Sequence, residues 1–195
     1  NDDPFQLLLE KLQVALATGQ IAILQYRRKK VAKADQMFEV EKIKTLCEKY
    51  HVPFIINDDI ALAVQLGLGV HLGQSDGAIT AAIQRLPKGA IIGRTCLNSL
   101  GLAQQAITEG ATYVAFGAVY ATATKPEAGN VGIEVIKQAA AQYDLPICAI
   151  GGLTVENSKP VIEAGADLCG VISDILGRST AEIPARVQAW AQLFS

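Results

Sequence analysis

Gln65-Leu66-Gly67-Leu68-Gly69-Val70, Glu109-Gly110-Ala111-Thr112-Tyr113-Val114 and Ala164-Gly165-Ala166-Asp167-Leu168 are three versions of one junction. In each, a helical pattern ends, a glycine follows, and an apolar strand begins. Glycine suits that point because it takes the left-handed conformation that closes a helix. A second junction also repeats, as Tyr50-His51-Val52-Pro53-Phe54 and Tyr143-Asp144-Leu145-Pro146-Ile147. There proline stops a helix and a strand follows. Outward from these junctions the pattern predicts seven short apolar strands: 21–27, 54–57, 70–73, 90–95, 113–119, 147–150 and 168–173. It predicts eight helices between them: 4–18, 34–50, 59–66, 77–86, 99–109, 132–143, 155–164 and 181–193. Strict alternation through short loops implies right-handed βαβ units on a parallel sheet.

The count sets the architecture. A (β/α)8 barrel has a strand before each helix, and the strand before the first helix would precede Asn1. The expectation is one α/β domain over residues 1–195, a (β/α)8 TIM-type barrel with its first strand missing from the chain. Such a barrel has an open seam between the first visible strand and the last. Unpaired strand edges favour association, so a homo-oligomer is an expected partner state. The alternative, a doubly wound open sheet, calls for G-x-G-x-x-G after its first strand, and the sequence has none.

Composition narrows the function. With 195 residues, 50% hydrophobic and 18% charged, the chain is long and apolar enough for a large core. Lys and Arg number 17 against 19 Asp and Glu, so no basic stripe invites nucleic acid. Apolar runs such as 113–123 fall short of the roughly 18 residues that span a membrane. The four cysteines, Cys47, Cys96, Cys148 and Cys169, form no C-x-x-C pair and read as buried thiols of a reducing compartment. The acidic start, Asn1-Asp2-Asp3-Pro4, is unlike a signal peptide. A cytoplasmic location is expected.

In a barrel of this kind function sits at the C-terminal ends of the strands, and polar residues gather there. Gln25, Arg27 and Lys29 follow the first strand at a spacing of two, which places them on one side. Asn57, Asp58 and Asp59 follow the second; Gly73, Gln74 and Asp76 the third; Thr95 and Cys96 the fourth; Thr122, Thr124 and Lys125 the fifth. The last two end in Gly151-Gly152 and in Ser173. Three cations, two hydroxyls and exposed backbone N–H groups are the parts of phosphate sites. Carboxylates on neighbouring strands beside them suggest Mg²⁺ bridging a diphosphate. Each signal has a plainer reading. Asp59 or Asp76 serves equally as a helix N-cap, residues 27–30 as a solvated charge run, and His71 as a hydrogen-bonded core histidine. With two histidines and no G-x-S-x-G, neither a His-rich zinc site nor a serine nucleophile elbow is available.

Five segments, in this order and spacing, resemble the thiamine-phosphate synthase (thiamine-phosphate pyrophosphorylase) family. They are Gln25-Tyr26-Arg27-Arg28-Lys29, Ile56-Asn57-Asp58-Asp59, Gly69-Val70-His71-Leu72-Gly73-Gln74-Ser75-Asp76, Thr122-Ala123-Thr124-Lys125-Pro126 and Ala149-Ile150-Gly151-Gly152-Leu153. The resemblance implies a (β/α)8 barrel and a transferase. It joins 4-amino-2-methyl-5-(diphosphooxymethyl)pyrimidine to a thiazole phosphate, with Mg²⁺, giving thiamine phosphate and diphosphate. It implies that Gln25, Arg27, Lys29 and Asn57 hold the pyrimidine diphosphate, Asp58 and Asp76 the Mg²⁺, and Lys125 the diphosphate. Thr122, Thr124, Gly152, Ile172 and Ser173 would take the thiazole phosphate. Thr95 takes the pyrimidine contact, in Gly93-Arg94-Thr95-Cys96 where many members read Ser-Thr-His. Arg27, Lys29 and Lys125 are then the catalytic cations. Such chemistry needs a stabilised leaving group and a positioned acceptor, with no base or covalent nucleophile. Rival readings are a thiazole tautomerase on the same fold and a non-catalytic protein that binds a phosphate ligand. Intact Gln25, Arg27, Lys29, Asp58 and Asp76 argue against the tautomerase, which needs no diphosphate site.

Overall fold

The structure, a computed structural model, describes residues 3–121 and 131–195. Its elements run α1 (Phe5–Leu16), β1 (Leu24–Tyr26), α2 (Lys33–Lys49), β2 (Phe54–Asn57), α3 (Ile60–Leu66), β3 (Gly69–Leu72), α4 (Ile79–Arg85) and β4 (Ile92–Thr95). They continue with α5 (Leu100–Glu109), β5 (Tyr113–Phe116), α6 (Glu134–Gln142), β6 (Ile147–Ile150), α7 (Lys159–Glu163), β7 (Leu168–Gly170), α8 (Ser173–Leu176) and α9 (Ile183–Leu193). The seven strands form one sheet in sequence order, and every neighbouring pair is parallel. This is a TIM-type winding with seven strands, and among the described residues β1 and β7 are its edges.

Side chains alternate across each strand, so the sheet has two apolar faces. One packs under the helices, with Ile56, Val70, Leu72, Ile92, Val114, Phe116 and Ile147 in the same core as Leu16, Val40, Ile43 and Ile136. On the other face Ile55, Tyr113 and Ala115 gather with Ile23, Ile91 and Cys148. Ile23 leads into one edge strand and Cys148 lies in β6. One apolar cluster thus runs along the inner face from β1 towards β6, and the strand ends lie side by side along it. Caps fix the helices against these strands. Asp59 and Ser99 accept the N–H groups of Leu62 and Leu102, and α3 and α5 close on left-handed Gly67 and Gly110.

Across the seam the outer layer is continuous. Ala15 of α1 packs with Ile183 and Val187 of α9 and with Ile175 of α8. Lys11 Nζ donates to the Leu176 carbonyl at 2.7 Å and pairs with Asp3 at 2.8 Å. Helices from the two ends of the chain therefore close the ring that the strands leave open.

Several element expectations need correction, and the strand expected over 113–119 ends at Phe116. The last strand stops at Gly170, and Ser173, expected as a strand end, opens the unforeseen helix α8. The helix expected over 155–164 contracts to Lys159–Glu163. There the Asn157 side chain accepts from the Thr154 N–H and donates to the Gly152 carbonyl, which holds 154–157 as a turn. The first strand is three residues long because its pairing with β2 covers only Leu24 to Tyr26. No helix among the described residues is long and apolar enough to cross a membrane.

Candidate active site

At the C-terminal ends of β1, β2 and β3 lies a cleft of about 430 Å³. Arg27, Lys29, Asn57, Asp58 and Asp76 all line it, as their places at the strand ends predict. Lys33 and Gln36 of α2 and the capping Asp59 line it too, and strand-end reasoning overlooked the α2 pair. Asp58 takes a left-handed backbone, φ 64°, and its N–H donates to the His71 carbonyl at 2.8 Å. The turn out of β2 is thus stitched to β3.

The two carboxylates converge. The Asp76 carboxylate occupies the place a β-carbon on Gly73 would take, and an Asp58 oxygen lies 4.0 Å from that place. Burial pushes the Asp58 carboxyl up from its usual value, and the charge of Asp76 and a hydrogen bond with it push the same way. Lys29 and Asn57 oppose them, Lys29 Nζ standing 3.8 Å from Asp58 Oδ2. Two carboxyls this close share a proton or a cation, because both charges together repel. Asp76 is not a helix cap: α4 starts after Ala78 with no side-chain cap. Asp59 is one, accepting from Leu62 at 2.9 Å.

The basic run divides by parity. Arg28 turns away from solvent, donating to Glu39 at 3.0 Å and to the Asp3 carbonyl at 2.8 Å. Tyr26 donates to the other Glu39 oxygen at 2.8 Å. The Arg28 side chain is 11% exposed and that of Lys29 62%. A wholly solvated run is therefore the wrong picture. Arg28 ties β1 to α2 while Arg27 and Lys29 are left to the cleft.

Below the cleft the inner face is polar where aliphatic side chains usually fill such a barrel. His71 Nδ1 lies 2.6 Å from the Tyr113 hydroxyl, and Nε2 lies 2.8 Å from the Thr95 hydroxyl. Gly93 makes room for the Tyr113 ring, which occupies the space a β-carbon would take. Burial pushes the Tyr113 phenol up and neighbouring Gln25 opposes the shift, and Gln74 donates to the Thr95 carbonyl. Gln25 is not among the cleft-lining residues. His71 is a hydrogen-bonded core histidine, as its place inside a strand suggests.

On the far side, Gly152 has φ 66°, and the Ala121 carbonyl and Tyr120 crowd the place of its β-carbon. Ile172 precedes α8, Ser173 begins it, and both are exposed. Behind them Asp174 is buried and accepts from the Val155 N–H at 3.2 Å, Arg186 Nε at 2.8 Å and Trp190 Nε1 at 2.9 Å. This carboxylate joins the loop after β6 to α8 and α9, and sequence reasoning missed it. Thr122, Thr124 and Lys125 lie outside the described residues. Burial pushes the thiol of Cys96 up to about 11 and those of Cys47, Cys148 and Cys169 up to about 12, which favours the protonated form in all four.

Residues 1–175 match the family model described as thiamine monophosphate synthase. Among solved structures, thiamine phosphate pyrophosphorylase from Pyrococcus furiosus is 28% identical, with a TM-score of 0.81, covering 97% of this chain and 91% of its own. Thiamine phosphate pyrophosphorylase from Bacteroides thetaiotaomicron is 16% identical, with a TM-score of 0.63 and coverage of 94% and 89%. (S)-3-O-geranylgeranylglyceryl phosphate synthase from Thermoplasma acidophilum, in complex with sn-glycerol-1-phosphate, is 16% identical, with a TM-score of 0.69 and coverage of 98% and 88%. The last two are likenesses of fold.

Proposed function

Because the chain belongs to the thiamine monophosphate synthase family, we propose that it joins 4-amino-2-methyl-5-(diphosphooxymethyl)pyrimidine to a thiazole phosphate, releasing diphosphate. The thiazole nitrogen supplies the electron pair of the new carbon–nitrogen bond. The carbon–oxygen bond breaks, and its pair departs with the diphosphate. Arg27 and Lys29 would bind the diphosphate oxygens, with Asn57 beside them. Thr95 would meet the pyrimidine ring, with Gln25 below it. Gly152, Ile172 and Ser173 would form the thiazole-phosphate side. The parts of Thr122, Thr124 and Lys125 rest on their motif alone.

Mg²⁺ is the cofactor in this reading, held by Asp58 and Asp76. The donor set fits it. Among the described residues no three His, Cys, Asp or Glu side chains cluster as a metal cage. Two carboxylates alone suit an ion that keeps waters and takes phosphate oxygens. When bound, Mg²⁺ neutralises charge on the departing diphosphate. The observation that carries the reading is the convergence of Asp58 and Asp76 beside Arg27 and Lys29 at adjacent strand ends.

The test is incubation of the protein with both substrates and Mg²⁺, and chromatography of the products. Thiamine phosphate and diphosphate in equal amounts are expected, and neither without Mg²⁺. Isomerised thiazole phosphate with no coupled product would make the protein a tautomerase. Tight binding with no product would make it a binding protein.

A further inference from the structure

Glu39 lies on α2 and is buried, and it is not among the cleft-lining residues. Its two oxygens are divided between two residues of one segment. Oε2 accepts from the Tyr26 hydroxyl at 2.8 Å, and Oε1 accepts from Arg28 Nη1 at 3.0 Å. A carboxylate facing a guanidinium often takes two parallel bonds from it. Here the second oxygen goes to Tyr26 instead, and Arg28 Nε stays buried with no hydrogen-bond partner among the described residues. Burial, and then the bond to Glu39, push the Tyr26 phenol above its usual range, so it keeps the proton that it donates. The result is a bridge between positions i and i+2 of one segment.

That bridge sits where the sheet no longer holds the chain. Pairing of β1 with β2 ends at Tyr26. The next backbone bond along the segment is the turn from the Val31 N–H to the Arg28 carbonyl. Side chains that reach one carboxylate from positions 26 and 28 lie on one side of the chain, and alternation puts 27 and 29 on the other. Those are Arg27 and Lys29, which line the cleft. Lys29 is exposed, with Asp58 Oδ2 3.8 Å from its Nζ. Among the described residues no side-chain hydrogen bond holds it or Arg27. Their aim therefore comes from the backbone, and Glu39 holds that backbone through the side chains on either side of Arg27. We propose that Glu39 is a positioning residue for the diphosphate subsite: it anchors the segment after β1 so that Arg27 and Lys29 present their charges to one anion. The inference rests on the reading of those two cations as diphosphate ligands.

Calorimetric titration with inorganic diphosphate and Mg²⁺ reads the subsite without the coupling reaction. Glu39→Gln keeps an acceptor for Arg28 and a partner for Tyr26, and Glu39→Leu keeps neither. Circular dichroism establishes beforehand that each variant is folded at the titration temperature. Should Glu39→Leu not fold, Tyr26→Phe takes its place under the same criteria, since it opens the bridge and leaves the ion pair intact. Glu39→Leu should bind diphosphate about tenfold more weakly, the scale of one charge-assisted hydrogen bond, and Glu39→Gln should recover most of that loss. In a background of Arg27→Ala with Lys29→Ala, Glu39→Leu should cost nothing further, because it acts through those two residues. In the coupling reaction its KM for the pyrimidine diphosphate should rise while its KM for thiazole phosphate stays unchanged. Lost stability alone lowers the amount of active protein, and with it kcat, and moves neither constant. Unchanged diphosphate affinity in Glu39→Leu, an equal rise in both KM values, or an additive loss in the background without the two cations overturns the inference and leaves the reading of the cleft standing. Wild-type protein that binds no diphosphate would sink that reading and the inference with it. Protein that binds diphosphate in a Glu39-dependent way yet couples nothing would uphold the inference and sink the proposed reaction.

Discussion

Arg28 and Lys29 are neighbours in sequence and opposites in energetics. Glu39 is 6% exposed and holds Arg28 and Tyr26 together. Arg28→Ala leaves that carboxylate buried beside a phenol, and breaking such a pair costs about 3–5 kcal/mol. Lys29→Ala removes an exposed side chain and should change stability by less than about 0.5 kcal/mol, while weakening the diphosphate subsite. Urea unfolding of both variants separates the roles; equal midpoints would mean that Arg28 is as dispensable to the fold as Lys29. Asp76 makes the complementary case. It caps no helix, and its charge pushes the Asp58 carboxyl up. Asp76→Asn relieves that repulsion, so the protein should be as stable as wild type or more so. Its activity should require more Mg²⁺. A lower melting temperature with an unchanged Mg²⁺ curve would assign Asp76 to structure.

At the scale of elements, the Asp174 cluster holds the thiazole-phosphate side of the proposed site. One buried carboxylate gathers the loop after β6, α8 and two residues of α9. Burial alone would raise its pKa. Bonds from Arg186, Trp190 and the Val155 N–H outweigh burial and hold it below the ordinary carboxylate range. Folded protein thus binds this proton more weakly than unfolded chain. The contribution to stability is complete above the unfolded value near pH 4 and drains away as pH falls through the lower folded value. Asp174→Ala should cost about 3–5 kcal/mol at neutral pH. Urea midpoints at about pH 6 and pH 3 should fall further in wild type than in Asp174→Asn; parallel falls would remove Asp174 from the acid response. The alternation of strand and helix was legible because Gly67, Gly110 and the Pro53 and Pro146 junctions punctuate it. The cleft residues were legible because spacing along short strands fixes their side. Helix α8 was not, because four residues are too few to show a period. Nor was the line of Tyr113, His71 and Thr95, whose members are 18 to 42 positions apart in sequence and join only when β3, β4 and β5 pair in register.

At the scale of the molecule, the sheet has two edges among the described residues, yet helices from both ends of it pack together. Ala15, Ile183 and Val187 form an apolar contact between the helices that begin and end the described chain. Lys11 anchors the same junction through the Leu176 carbonyl. If this closure carries the seam, weakening it should loosen the whole barrel rather than fray one end. Ile183 is fully buried, so Ile183→Ala removes its packing and leaves a cavity, at about 2–5 kcal/mol. For a domain of this size that corresponds to a fall of roughly 5–15 °C in Tm. The reporter is built in. Trp190 is the single tryptophan, buried on α9 with its N–H on Asp174 at 2.9 Å. Its fluorescence reads the junction, while far-UV circular dichroism reads all the helices. The two melting curves should coincide in wild type and shift together in Ile183→Ala, as one cooperative unit requires. A tryptophan transition well below the dichroism transition would show that the terminal helices come away alone, and that the seam is held by something other than their contact.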